Sequence, residues 1–306
     1  MAFAKGTAMP PPRPIEEGCT YHITRVVKER VFRLRPDRNV VEAFKYLLAV
    51  AAWKYRIGVV AVLVMSNHYH AILIDSEGRL PEFMQWLHSM TARYFKCARG
   101  VWENFWKVEQ TNLNLLVETS DVLDKSVYVL ANPVRADLVD RAIHWPGLSS
   151  YAWLDGRTVI ARRPKRFFFS SKSRLPECVP LKLTQPPGFE GTFAEWAERV
   201  REGVAAKERK YAQRRLRAGK RILGRKRVRK TPCTHAPKTR PPEGKLRPFI
   251  AAKNPEARAA ALRKLACFRA WYAFAKQAFK AGWRDFPFPP GTWLMVRLAG
   301  VSVAPS

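Results

Sequence analysis

Residues 18–27 (GCTYHITRVV) alternate apolar and polar positions and are rich in β-branched side chains, the pattern of a half-buried strand. Val41, Phe44, Leu47, Leu48 and Ala51 then recur at helical spacing and predict a helix over 39–55. Two apolar runs follow, 58–65 (GVVAVLVM) and 68–74 (HYHAILI). Only Ser66 and Asn67 separate them, so together they predict a β-hairpin. Phe83, Leu87, Met90 and Tyr94 place one apolar face on a helix over 80–99. Residues 113–118 (LNLLVE) form a short strand candidate, and 121–131 a further helix. The order strand, helix, strand, strand, helix, strand is that of an α/β (more narrowly α+β) fold, the ferredoxin-like βαββαβ antiparallel sheet. One helix is added after the last strand.

Charge divides the chain. Of 306 residues, 55 are Lys or Arg and 25 are Asp or Glu, a net charge of +30. Residues 1–150 carry a net +4 and residues 151–306 a net +26. The division expected is a globular domain over 15–155 and a basic, mainly helical C-terminal extension over 156–306. Within the extension, a basic stretch from Arg162 to Arg174 is interrupted by Phe167, Phe168 and Phe169. A helix is expected to begin near Thr192, with Phe193, Trp196, Val200 and Val204 at helical spacing. Residues 207–230 are densely basic, and 231–248, rich in Pro, Thr and Lys, predict a linker. Asn254 as cap, Pro255 in the first turn and Gly282 past the end frame a last helix with the apolar stripe Leu262, Leu265, Phe268, Tyr272, Ala275 and Phe279.

So large a cationic excess calls for a polyanion, and nucleic acid is the commonest. No apolar run reaches the about 18 residues of a membrane span, and the N-terminus lacks the apolar core of a secretory signal. Five scattered cysteines without a CxxC pair argue against a disulfide framework or a zinc knuckle. A cytoplasmic protein is expected.

Two places could carry chemistry. His68 and His70 alternate along a strand, so both imidazoles share a face while Tyr69 points the other way. Such a pair suits a divalent metal. An isolated HxH is more often two satisfied histidines, but this one opens a strand that continues as apolar Ala71–Ile74, where buried polar rings need a partner. The remaining parts of other HxH chemistries are missing. There is no HxE with PCxxC, and Ile72 and Leu73 stand where HxHxDH needs Asp and His. HExxH is absent as well. The second place is Tyr128 with Asn132, spaced i, i+4 so that a phenol and a carboxamide share a helix face. A carboxamide oxygen is a hard ligand suited to Mg2+ or Mn2+. Pro133 follows Asn132, so the helix either ends there or Asn132 caps the next one. Taken singly, such a Tyr is more often packing and such an Asn more often a cap.

Together, VMSNHYHAIL (64–73) and YVLANPVRADLV (128–139) resemble the single-tyrosine HUH transposases, in particular the REP-associated tyrosine transposases of bacteria. Tyr21–Arg25 and Phe32 resemble the first strand of that family, and the likeness spans about 15–155. It implies a ferredoxin-like sheet, a divalent ion (Mg2+ or Mn2+) held by His68, His70 and Asn132, and Tyr128 as nucleophile. The implied activity nicks and rejoins single-stranded DNA through a 5′-phosphotyrosine. The implied partner is DNA, single-stranded or as hairpin ends of a mobile or repeated element, in the nucleoid of a bacterial cytoplasm. Tyr69 stands where the family usually has a bulky apolar residue, and Asp137 where it commonly has Gly, which bears on the local turn. A relaxase or rolling-circle endonuclease and a non-catalytic nucleic-acid binder are the alternatives, as monomer or dimer. The resemblance does not reach the basic extension.

Overall fold

The computed structural model describes residues 11–108, 111–165, 173–238 and 248–305. Phe167–Phe169 and half of the expected linker lie outside the described residues. Strand β1 (Cys19–Val26) leads through α1 (Arg38–Tyr55) to the hairpin β2 (Ile57–Val64) and β3 (His68–Asp75). Helix α2 (Leu80–Arg99) and β4 (Asn112–Leu116) complete the βαββαβ unit, and α3 (Thr119–Leu130) and the short α4 (Asn132–Arg135) follow. The sheet order is β2-β3-β1-β4, with β1 antiparallel to both β3 and β4, as the split βαβ topology requires.

Local signals set the element ends. The Asp37 carboxylate accepts from Val40 N at 3.0 Å to start α1, and Arg56 stops it in the left-handed region at φ 55°. The wholly buried Asp75 carboxylate accepts from the backbone N–H of Arg79 and Leu80, fixing the turn into α2. Helices α1 and α2 cover one sheet face, where Tyr69, Phe44 and Phe95 pack. Helix α3 lies over the opposite face, against β2, β3 and β4.

The basic half is built onto this sheet. Strands β5 (Val159–Arg162) and β6 (Cys178–Leu181) form a hairpin against α1, anchored where Tyr46 donates to the Pro176 carbonyl at 2.6 Å. Helix α5 (Phe193–Arg217) packs along α3 and α4, and the short α6 (Arg225–Lys230) follows it. Strand β7 (Ile250–Ala251) pairs in parallel with β4 and makes a fifth strand. At the other edge Thr184 N donates to the Val59 carbonyl at 3.0 Å, so the extension covers both edges of the sheet. Helix α7 (Pro255–Lys280) and α8 (Leu294–Ala299) end the fold. The buried Trp196, Val200, Val204, Ile250 and Leu265 join the same hydrophobic core as β1–β4. The strands β5, β6 and β7 had no clear sequence signal: each is four residues or fewer and is held by its partner.

Candidate active site

Alternation along β3 directs Tyr69 into the α1–α2 core, where its hydroxyl lies 2.6 Å from His88 Nε2, and leaves His68 and His70 on the face beneath α3. The β1–β3 register sets Thr24 opposite His70, which brings His22 alongside. His22 Nε2 is 3.1 Å and Thr24 Oγ1 2.8 Å from His70 Nδ1. His22 Nδ1 lies 3.4 Å from Asn114 Oδ1 on β4. His68 and His70 meet edge to face, with ring centroids 4.9 Å apart. His68 Nδ1 is 2.6 Å from Asn67 Oδ1, and the Asn67 amide donates in turn to the Arg30 carbonyl at 3.0 Å.

Helix α3 lowers Tyr128 onto this cluster, its ring edge-on to His70 at 6.0 Å between centroids. The Asn132 amide reaches to 3.3 Å from His70 Nε2. Of the two placements open to Asn132, the chain takes neither a cap nor a last turn: Asn132 is the first residue of α4. Ala131, between the helices, keeps φ −81° and ψ −2°, so the path stays nearly helical and the phenol and carboxamide remain on one side. Pro133 falls in the first turn of α4, where its missing N–H costs no helical bond. Arg135 Nη1 donates to the Tyr128 hydroxyl oxygen at 2.8 Å. The Arg135 guanidinium and the Lys125 ammonium both lie over the tyrosine ring, at 5.1 and 5.4 Å from its centroid.

Burial keeps these histidines neutral. It pushes His68 down to about 4, with the Arg30 charge adding to the effect. His22 falls to about 3, through burial and then the Lys125 charge, against a hydrogen bond that its ring N–H donates to Asn114 Oδ1. His70, only 5% exposed, is driven well below the usual histidine range by burial and then by His68 and His22. Lys125 is itself lowered by burial.

Among the described residues no three His, Cys, Asp or Glu side chains form a metal-holding group. The donor set available is two neutral imidazoles and one carboxamide. Both His68 and His70 engage Nδ1 with neighbouring polar groups, and His70 turns its Nε2 toward the Asn132 amide, so the ring nitrogen and the carboxamide converge on one point. Outer partners orient ligating histidines in this way, so the residues fit a hard divalent ion.

The sequence reading did not single out His22, Thr24, Lys125 or Arg135. His22 and Thr24 repeat the alternate spacing of His68 and His70, but only the strand register shows that the two pairs adjoin. Asp137 does hold the expected glycine conformation, at φ 55°. Its carboxylate pairs with Arg214 at 2.7 Å and with the buried Arg215 at 3.5 Å, both on α5. These contacts offset the strain of a left-handed non-glycine residue.

The fold and the site define a class: a ferredoxin-like sheet that buries a histidine pair beneath a tyrosine-bearing helix. Residues 16–110 match the family of IS200-like transposases, and over that segment the transposase resemblance holds. The segment contains His22, His68 and His70 and ends before Tyr128 and Asn132. Among solved structures, a REP-associated tyrosine transposase bound to a REP hairpin is similar, with 18% identity and a TM-score of 0.40, covering 47% of this chain and 84% of its own. A candidate transposase from Deinococcus radiodurans R1 is similar with 21% identity and a TM-score of 0.29, covering 38% of this chain and 93% of its own. No curated protein matches the chain.

Proposed function

We propose that this protein is a metal-dependent transposase that nicks and rejoins single-stranded DNA, with Tyr128 as nucleophile and His68, His70 and Asn132 as metal ligands. One juxtaposition carries the reading: a phenol edge-on to His70 and a carboxamide 3.3 Å from its Nε2, over a sheet whose segment 16–110 matches IS200-like transposases.

The Tyr128 oxygen attacks the scissile phosphorus in line. As the phenol gives up its proton, the bond between phosphorus and the 3′ oxygen breaks. The upstream fragment leaves, its 3′ oxygen taking a proton to become a hydroxyl, and the downstream fragment stays esterified to the tyrosine through its 5′ phosphate. Attack by a second 3′-hydroxyl reverses the step and joins strands, because the phosphodiester energy is retained in the protein link. A divalent ion, when bound, supplies charge neutralisation on the phosphate oxygens. Arg135 holds the phenol oxygen in place, and Arg135 and Lys125 together make the surroundings of Tyr128 cationic, which favours a phosphate there. Asn67 and Thr24 orient the two imidazoles.

The test uses a pool of single strands drawn from the DNA flanking the coding region, with Mg2+ or Mn2+. Wild-type protein is expected to form an SDS-resistant adduct that peptide mapping places on Tyr128. Tyr128→Phe should bind the same strands and give no adduct. A label on Tyr94, Tyr151 or Tyr69 would overturn the site, and adduct formation by a His68→Ala, His70→Ala double variant would overturn the metal assignment.

A further inference from the structure

The C-terminal part of α5 carries a row of cations that starts at the tyrosine helix. Its anchored side is fixed by Arg214 and Arg215, which reach Asp137, and by Arg214 Nη2, which donates to the Arg135 carbonyl at 2.8 Å. Arg135 is the residue that holds the Tyr128 oxygen. From Arg214 the row runs along the helix: Ala206, Arg209, Lys210, Gln213 and Arg217 recur with it at i, i+3 and i+4 spacing and line a single groove of about 990 Å3. Arg209, Lys210 and Arg217 are exposed, and no ion pair to a carboxylate is formed by any of them among the described residues. Exposed arginines elsewhere do find carboxylates, as Arg38 does with Glu42 and Arg157 with Asp155. Three uncompensated cations, Arg209, Lys210 and Arg217, spread over about 12 Å of one helix, suit a linear polyanion.

We propose that this face of α5 is the track for the DNA backbone on one side of the scissile phosphate, with a single strand running from Tyr128 along Arg209, Lys210 and Arg217. The end point of the track rests on the Tyr128 reading above; its course rests on the charge and placement of α5.

The experiment measures binding of a fluorescent single-stranded oligonucleotide to the full chain by anisotropy, at salt from about 50 to 200 mM. The variant Arg209→Gln, Lys210→Gln, Arg217→Gln is compared with a control that removes equal charge from α7, Arg258→Gln, Arg263→Gln, Lys280→Gln. Three lost phosphate contacts should flatten the slope of log K against log salt by about 2, at about 0.7 per phosphate of a single strand. The control should change it by clearly less. Because the three α5 side chains are exposed, the melting temperature should hold in both variants. An unchanged slope in the α5 variant, or an equal change in the control, overturns the proposal. Wild-type protein that shows the steep slope but never forms the adduct would overturn the nuclease reading while still supporting the DNA surface on α5.

Discussion

Tyr69 and His70 are neighbours in the chain with opposite fates. The tyrosine is sealed in the α1–α2 core against His88, and the imidazole faces the phenol of Tyr128. The His88 ring lies between Tyr69 and Trp106, and burial pushes its pKa down to about 3 from the ordinary 6.5. The unfolded chain therefore binds a proton here between about pH 6.5 and 3 that the folded chain refuses. The stability contributed by neutral His88 is present above 6.5 and is lost as pH falls below it. Since the residue as a whole is partly exposed, the loss between pH 7 and 5 is about 1–2 kcal/mol rather than the full buried value. His88→Gln should shrink the acid sensitivity of the unfolding free energy by that amount; denaturant titrations at the two pH values measure it. Equal pH dependence in variant and wild type would show that His88 titrates normally.

At the scale of elements, α3 is gripped at both ends by the extension. Its first turn carries a capping box between Glu118 and Asp121. Asp121 also accepts from Lys253 N at 2.9 Å, and Glu118 accepts from the Asn254 side chain at 3.1 Å, which ties the start of α7 to the start of α3. Beyond its far end, Asp137 is held by Arg214 and Arg215. Between these points α5 approaches so closely that a Cβ on Gly203 would meet Val127 Cγ2 at 2.5 Å. Val127 is β-branched in a helix and cannot swing aside cheaply, and it adjoins Tyr128. Gly203→Ala gains up to about 1 kcal/mol of helix propensity and meets overpacking of about 1–3 kcal/mol. The expected outcome is a modest net loss of stability with a larger loss of adduct formation, since α3 must shift relative to the histidines. Val127→Ala in the Gly203→Ala background should restore the adduct. Failure of that rescue would show that the closeness of α5 does not position the tyrosine.

For the whole molecule, the position of the extension governs stability. Trp196, Val200, Val204, Phe249, Ile250 and Leu265 are all buried in the common core. At about 1.5–3 kcal/mol for each buried side chain, their removal costs as much as the roughly 5–15 kcal/mol that holds a domain folded. A chain ending after residue 185 would also lose the cover on β4 and expose the face of α3 that packs against α5. It should fail to melt cooperatively, as circular dichroism would record, although residues 15–155 contain every proposed site residue. A sharp transition in that fragment would show that the first domain stands alone.

Periodicity alone determined a good deal about this protein. Alternation over β1 and β3, helical spacing in α1, α2 and α3, and the two-residue break at Ser66-Asn67 are local properties that the sequence displays directly. They sufficed for the βαββαβ order, for the shared face of His68 and His70, and for the pairing of Tyr128 with Asn132. The tertiary structure alone decided what lies opposite what. His22 joined the pocket through the register of β1 on β3, which depends on strands separated by an entire helix and a further strand. Arg135 met the Tyr128 oxygen because the backbone stays helical through Ala131 despite the proline two residues on. The basic half turned from an appendage of charge into a cover for both sheet edges and a grip on the tyrosine helix. Its strands are too short to announce themselves, and their stability comes from long-range pairing, which no local pattern encodes.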